Sequence, residues 1–175
     1  MAAESPGLQS PFQRRGPPVS YSRDPLAPAV HTAHEWLRAV TNDLGTYDRV
    51  FAHRVMRAWL HTVRDSVGAG TAARLAAQLP ELFRGAFYEG WVPAETPRRH
   101  TVDSFLAQFA TEAGVSDDEA AALLGAVTEA LSELFSAGQL HRLLAELPAP
   151  LRRLLTGDLL SGTFTAAVTY NEGSR

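Results

Sequence analysis

Apolar residues recur at three- and four-residue spacings along most of the chain, and this periodicity predicts amphipathic helices. The first stretch places Trp36, Leu37, Val40 and Leu44 on one stripe of a short helix that begins near His34. A longer helix follows, and we expect its apolar stripe to be buried. The members of that stripe are Val50, Phe51, Val55, Trp59, Leu60, Val63 and Val67. The pattern as a whole predicts an all-α fold.

Glycine and proline mark the ends of the predicted helices in the first half. We expect residues 68–70, Gly-Ala-Gly, to stop the long helix in a left-handed turn, and Thr71 to cap the next short helix. Pro80 then begins a further helical turn. Residues 93–100 interrupt the periodicity and are predicted to form a linker.

The second half of the chain repeats the first. Residues 69–80 align with residues 137–148 with Ala, Gly, Arg, Leu, Ala, Leu and Pro identical, so that Pro148 follows Pro80 by 68 positions. Self-similarity of this kind indicates a duplicated structural unit. We therefore predict two tandem homologous helical units, residues 31–92 and 101–156, packed as one compact domain.

Helix starts in the second half carry recognisable capping residues. A helix is expected to begin at residues 101–104, and Ser116 followed by Glu119 has the spacing of a capping box. Asp117 and Asp118 lie where the positive end of a helix dipole favours carboxylates. These residues predict the start of the long helix of the second unit.

The run from Leu75 to Trp91 resembles the middle of the bacterial domain-of-unknown-function 2267 family. The sequence from Ser104 through residues 137–138 to residues 147–148 resembles the C-terminal copy in that family, so the resemblance covers about residues 33–156. It implies a duplicated all-helical domain. It implies no activity and no catalytic residues, because the family is named for lacking an assigned function.

Both ends of the chain differ in composition from the predicted helices. Residues 1–30 contain six of the 11 prolines and are predicted to form a disordered arm. Residues 157–175 are expected to form a loose tail. The arm is interpreted as an inert leader or, alternatively, as a segment that docks on a protein partner; the tail could also bind in trans. The scattered hydrophobic residues of the arm are Phe12, Val19, Tyr21 and Leu26.

Composition excludes several kinds of chemistry. All 16 basic residues are arginine, which excludes a phosphate-binding loop ending in Gly-Lys and Schiff-base catalysis. The absence of cysteine excludes thiol nucleophiles and thiolate metal sites. A formal net charge of −3 does not favour a nucleic-acid partner. With 175 residues, 45% of them hydrophobic, the chain can bury one core or two small ones.

The first residues contain no apolar run of the length that a signal peptide needs. The pair Arg14 and Arg15 is followed by Gly-Pro-Pro instead of the apolar segment of a twin-arginine export signal. We therefore expect a cytoplasmic protein without membrane association.

Histidine and carboxylate residues offer two weak candidate sites. His31, His34 and Glu35 have helical spacings that could present metal ligands, but a solvated helix start is the simpler interpretation, and we predict no metal and no cofactor. His61 and Asp65 are four residues apart on the long helix. We interpret them as a surface pair; the alternative is a general acid/base dyad.

Four arginines occupy equivalent positions in the two units: Arg74 matches Arg142, and Arg84 matches Arg152. Recurrence in both copies favours a structural task, such as binding helix carbonyls or an acidic partner, for example Glu146. The alternative is that the four arginines line an anion-binding groove between the two units.

Aromatic residues are concentrated just before the linker, among them Tyr88 and Trp91. Packing between the two units is the simpler interpretation, and a partner or ligand surface is the alternative. From all these patterns we expect a non-enzymatic interaction or scaffolding module. The alternative function is a small-anion binder or enzyme that uses the groove between the units.

Overall fold

A computed structural model describes residues 24–157, which fold into eight α-helices and one short 3₁₀-helix, with no β-strand in that range. The all-α prediction is confirmed. The 3₁₀-helix, Pro93–Glu95, lies inside the predicted linker. The predictions for the arm at residues 1–23 and for the tail at residues 158–175 lie outside the described residues. The helices are α1 (Ala27–Asp43), α2 (Arg49–Ser66), α3 (Ala69–Gln78), α4 (Glu81–Tyr88), α5 (Val102–Ala113), α6 (Asp117–Leu134), α7 (Gln139–Leu144) and α8 (Ala149–Leu155).

Helix α1 begins earlier than the sequence pattern predicted. Its first residue, Ala27, lies within the stretch assigned to the disordered arm. Asp24 accepts a hydrogen bond from the Leu26 N–H at 2.9 Å, and Pro28 lies in the first turn, where an N–H has no intrahelical acceptor and proline is well tolerated. Pro28 therefore starts a helix, whereas the sequence interpretation took it for a sign of disorder.

Helix α2 lies at the centre of the fold and packs against α1, α4, α5 and α6. Every residue from 58 to 66 is buried, including polar ones, so the C-terminal half of α2 is covered on all sides. Val50 does not share this burial and is 75% exposed, because it lies in the first turn, before the packed part of the helix. The predicted apolar stripe is therefore wrong at Val50. Further along the helix, the buried surface is wider than the predicted stripe.

One continuous hydrophobic core contains residues from all eight described helices. The largest fully buried side chain, Trp59 of α2, donates from its indole N–H to the Thr128 hydroxyl of α6 at 2.9 Å. Trp36 of α1 lies 5.5 Å from Phe135 between ring centroids. These contacts join the first half of the chain to the second, so the described residues pack as one body.

The helix start predicted at residues 101–104 and the capping box predicted for Ser116 and Glu119 are both confirmed. Thr101 and Ser104 cap α5 reciprocally, and the Glu119 carboxylate accepts from the Ser116 N–H at 3.1 Å and the Ser116 hydroxyl at 2.7 Å. Because these hydrogen bonds favour the ionised form, they hold the pKa of Glu119 below its usual range. The α6 cap is therefore present above that range and is lost as the pH falls through the lowered pKa.

The predicted turn after α2 is wrong in detail. Gly68 has a φ of −66° and is the N-cap of α3, so no left-handed stop forms there. Thr71 is not a cap, because it is the third residue of α3; its buried hydroxyl donates to the Glu146 carboxylate. The left-handed glycine of this motif occurs in the second half, where Gly138 has a φ of 68° and precedes α7.

The helices of the two halves follow in the same order, with an 18-residue helix second in each half. Local hydrogen bonds also correspond: Arg74 donates to Thr71, and Arg142 donates to Gln139, three residues before it in each case. These features agree with a duplication, which stays a prediction. Within residues 24–157, no helix combines the length and the apolar character needed to cross a bilayer.

The hydrogen bond between α2 and α6 is tested by Thr128→Val. This change leaves the Trp59 N–H buried without an acceptor, and we expect it to lower the free energy of unfolding by about 1–3 kcal/mol. Thr62→Val is the matched control. The buried Thr62 hydroxyl donates only to the Ala58 carbonyl of its own helix, so its removal leaves no buried donor without an acceptor. Denaturant titration of both variants measures the difference; equal losses would contradict the assigned role of Thr128.

Candidate functional site

An open cleft of about 830 Å³ lies where α2, the C-terminal end of α4 and α5 meet. We call it the polar cleft. Its walls carry an unusual density of charge for a region that borders the core. The charged and amide side chains that line it are Arg57, His61, Arg64, Asp65, Glu89, Arg98, Gln108 and Glu112.

Arg64 is the most deeply buried cation of the polar cleft, with only 4% of its surface exposed. Its guanidinium donates to the carbonyl oxygens of Phe87 at 2.5 Å and Glu89 at 3.0 Å, and its Nε donates to Asp65 Oδ1 at 2.7 Å. The last carbonyls of a helix have no intrahelical donors. Arg64 therefore closes the C-terminal end of α4 and neutralises Asp65 at the same time.

His61 connects the same helix end to α5. Its Nδ1 lies 2.8 Å from Glu112 Oε2, and its Nε2 lies 2.8 Å from the Ala86 carbonyl oxygen. Both partners are acceptors unless Glu112 is protonated, and a neutral imidazole has only one N–H to donate. The imidazolium form satisfies both contacts; with a neutral ring, Glu112 must supply the second proton.

Asp65 is shared by three side chains, two hydrogen-bond donors and one more distant cation. Besides Arg64, it accepts from the Gln108 amide at 3.3 Å, and the Arg98 guanidinium lies 3.8 Å from its other carboxylate oxygen. Gln108 also donates to Glu112 at 3.2 Å, which joins the Asp65 and His61 groups into one network. The interpretation of His61 and Asp65 as a surface pair is wrong: both are 5% exposed, and each binds other partners.

The outer edge of the polar cleft carries an ion pair of a different kind. Arg57 Nε lies 2.9 Å from Glu89 Oε2, with the two side chains 35% and 61% exposed. Exposed pairs contribute little to stability because water and salt screen them. This pair orders the edge of the cleft without anchoring the fold.

The network satisfies its own charges. Every cation that lines the polar cleft faces a carboxylate within 4 Å. Thr111 supplies the hydroxyl group among the lining residues, which include no Ser, Cys or Lys. Across residues 24–157 no group of three or more His, Asp or Glu side chains is placed to hold a metal ion. His31 lies 3.5 Å from Glu35 on the exposed start of α1, and His34 is exposed. The paired charges of the polar cleft are therefore suited to joining helices.

The four predicted arginines do not converge on one pocket. Arg84 donates to the carbonyls of Ala76 and Leu79, and Arg152 donates to the Ala145 carbonyl, all at 3.2 Å. These contacts agree with the interpretation that the arginines bind helix carbonyls. The remaining two bind side chains: Arg74 lies 2.5 Å from Glu146, which belongs to the predicted acidic partners, and Arg142 bonds to Gln139.

Tyr88 and Trp91 do lie together, beside the polar cleft. Their ring centroids are 5.4 Å apart, and Tyr88 also meets Phe87 edge-on at 5.2 Å. Tyr88 is 38% exposed, whereas Trp91 is partly buried against the core. The buried indole N–H of Trp91 has no hydrogen-bond partner among the described residues.

Sequence reasoning missed Arg64, Gln108 and Glu112. A signal for Arg64 was present, because it lies between Val63 and Val67 on a helix whose apolar positions already predicted burial. A charged residue in such a position needs a fixed partner. Gln108 and Glu112 gave no such signal, since an i, i+4 polar pair on α5 is typical of an exposed helix face.

Arg64→Met tests whether the network anchors the fold. The change removes the shortest hydrogen bond to Asp65 and leaves two carbonyls without their donor, and breaking a buried pair typically costs about 3–5 kcal/mol. Arg57→Met removes an arginine of the same network edge and should cost less than about 1 kcal/mol. Chemical denaturation of both variants gives the comparison. Similar losses for the two would mean that Arg64 is no anchor.

Comparison with known proteins identifies the family of the chain. No curated protein matches the chain. A family model described as "Uncharacterized conserved protein (DUF2267)" matches residues 33–154, a stretch from within α1 to within α8. Because this match covers well over half of the 175 residues, the chain belongs to the DUF2267 family.

Proposed function

We propose that the chain is a non-enzymatic interaction module whose helical core presents a fixed aromatic surface to a protein partner. This surface, the aromatic edge, consists of Tyr88, Trp91 and Val92. Tyr88 and Val92 are 38% and 47% exposed. Aromatic side chains that combine apolar area with a polar group are enriched among the residues that contribute most to protein interfaces.

The observation that carries the proposal is how the backbone around Tyr88 is held. The carbonyls on either side of this residue, those of Phe87 and Glu89, both accept from the buried Arg64 guanidinium. A side chain held by an anchored backbone loses less conformational freedom when it binds. The aromatic edge is therefore pre-organised, as a binding surface requires.

The charges of the polar cleft support a module over an enzyme. A catalytic acid or base needs a reacting atom within reach, and here the inner charged groups are engaged with one another. The alternative of an anion binder that uses Arg74, Arg84, Arg142 and Arg152 gains no support, because these guanidinium groups already bind carbonyls or side chains.

Tyr88→Ser tests the aromatic edge. Truncation of an aromatic anchor typically weakens an interface by about 2 kcal/mol or more, so we expect partner recovery to fall at least about tenfold in quantitative affinity purification from cells of the source organism. Tyr47→Ser is the matched control, because Tyr47 is a fully exposed tyrosine near the start of α2. Equal recovery with both variants, or no enriched protein with the wild type, would refute the proposal. Thermal unfolding of each variant verifies that the fold is intact.

The N-terminal arm is proposed as a second contact with the partner. Its deletion should stop at residue 22, because Asp24 accepts a hydrogen bond from the Leu26 N–H just before α1 and a cut at residue 30 would remove the first turn of that helix. We expect deletion of residues 1–22 to reduce partner recovery and to leave the helical circular-dichroism signal of the remaining chain unchanged. Unchanged recovery would remove the arm from the proposal.

A further inference from the structure

A second cleft lies where the first half, the linker and the second half of the chain meet. It measures about 420 Å³ and is separate from the aromatic edge. We call it the linker cleft. Ser66 at the end of α2 forms one side, residues 97–100 form another, and Glu146, Pro148 and Leu151 complete it.

The linker cleft carries an excess of positive charge. Each carboxylate near it already has a cation: Asp65 pairs with Arg64, Glu95 with Arg98 at 3.1 Å, and Glu146 with Arg74. Arg99, by contrast, makes no ion pair and no hydrogen bond within residues 24–157. One guanidinium with five N–H donors is therefore uncompensated at this cleft.

His100 adds a second group in need of a partner. Its Nε2 is buried and has no hydrogen-bond partner among the described residues, and its Nδ1 lies 3.4 Å from the Ser104 hydroxyl. Burial first, and then the Arg98 cation, lower the pKa of His100 below its usual 6.5, with Asp65 opposing them. The neutral ring can carry its proton on either nitrogen, and the imidazolium carries one on both, so an anion close to the ring favours the charged form.

We propose that the linker cleft binds a small oxyanion, a phosphate or carboxylate group, which accepts hydrogen bonds from Arg99, with Arg98 as a further donor and the His100 ring beside it. Guanidinium groups match the paired oxygens of such anions, and charge-assisted hydrogen bonds are the strongest available to them. Pro148 and Leu151 form an apolar wall that lowers the local dielectric and strengthens the attraction. This site differs from the groove predicted from Arg74, Arg84, Arg142 and Arg152, none of which lines it.

Calorimetric titration of the full chain with inorganic phosphate and, separately, with acetate at low ionic strength tests the site. We expect saturable binding of at least one anion and a weakening of about tenfold or more in Arg99→Gln. Arg49→Gln is the matched control: Arg49 is also exposed, and it lies at the other end of α2 from Ser66, about 26 Å away at 1.5 Å per residue. It should change the affinity less than twofold.

Phosphate binding alone, acetate binding alone, or both support the proposal and identify the anion class. No saturable binding by the wild type, an affinity unchanged in Arg99→Gln, or an equal loss in Arg49→Gln would overturn it. Circular dichroism shows whether each variant folds.

A second measurement reports on the cleft itself. An anion seated beside His100 offsets the Arg98 cation and favours the imidazolium, so NMR titration of the His100 ring should give a higher pKa in the binding anion than in chloride. The Arg99→Gln variant should lose this rise and the Arg49→Gln variant should keep it. A His100 titration that is the same in both salts would place the anion elsewhere and overturn the assignment.

Discussion

Short helices leave backbone carbonyls unpaired at their C-terminal ends, and in this fold arginine side chains bind several of these carbonyls. The last carbonyls of each helix lack intrahelical donors, and eight helices in 134 described residues create many such ends close to the core. Guanidinium groups supply the donors: Arg54 binds the Ala113 carbonyl at the end of α5, Arg64 closes α4, Arg84 closes α3, and Arg152 binds the Ala145 carbonyl after α7. A planar group with five donors suits two neighbouring carbonyls better than an ammonium group does, which gives a structural reason for a chain whose 16 basic residues are all arginine.

The central position of α2 follows from the same constraint. The polar residues of its C-terminal half are buried because neighbouring helices cover that half on every side, and their side chains satisfy both one another and the end of α4. A polar network of this kind resembles an active site in composition, since it contains histidine, carboxylate and arginine. The network differs from an active site because its inner charged groups bind partners within the protein. The two surfaces proposed for function, the aromatic edge and the linker cleft, lie at the borders of this network.

Periodicity and capping chemistry were sufficient to predict the all-α class and the starts of α5 and α6, because these depend on local sequence. The starts of α1 and α3 were predicted wrongly, since Pro28 and the Gly68–Gly70 turn permit either a break or a helix start and only the packing decides. The polar cleft could not be predicted, because Arg64 and Glu112 are 48 positions apart in sequence and meet only in the folded chain. Tyr88 and Trp91 were found because they are close in sequence.

Burial of α2 also bears on how the chain acquires its structure. The first unit of the predicted duplication contributes the helix around which the second unit packs, with α5 and α6 covering faces of α2 that α1 and α4 leave open. A single unit produced by itself would expose Trp59 and the inner charged groups to water. The two units are thus unequal in role despite their similar sequences, and we expect folding to be cooperative across both, with neither able to serve as an autonomous building block.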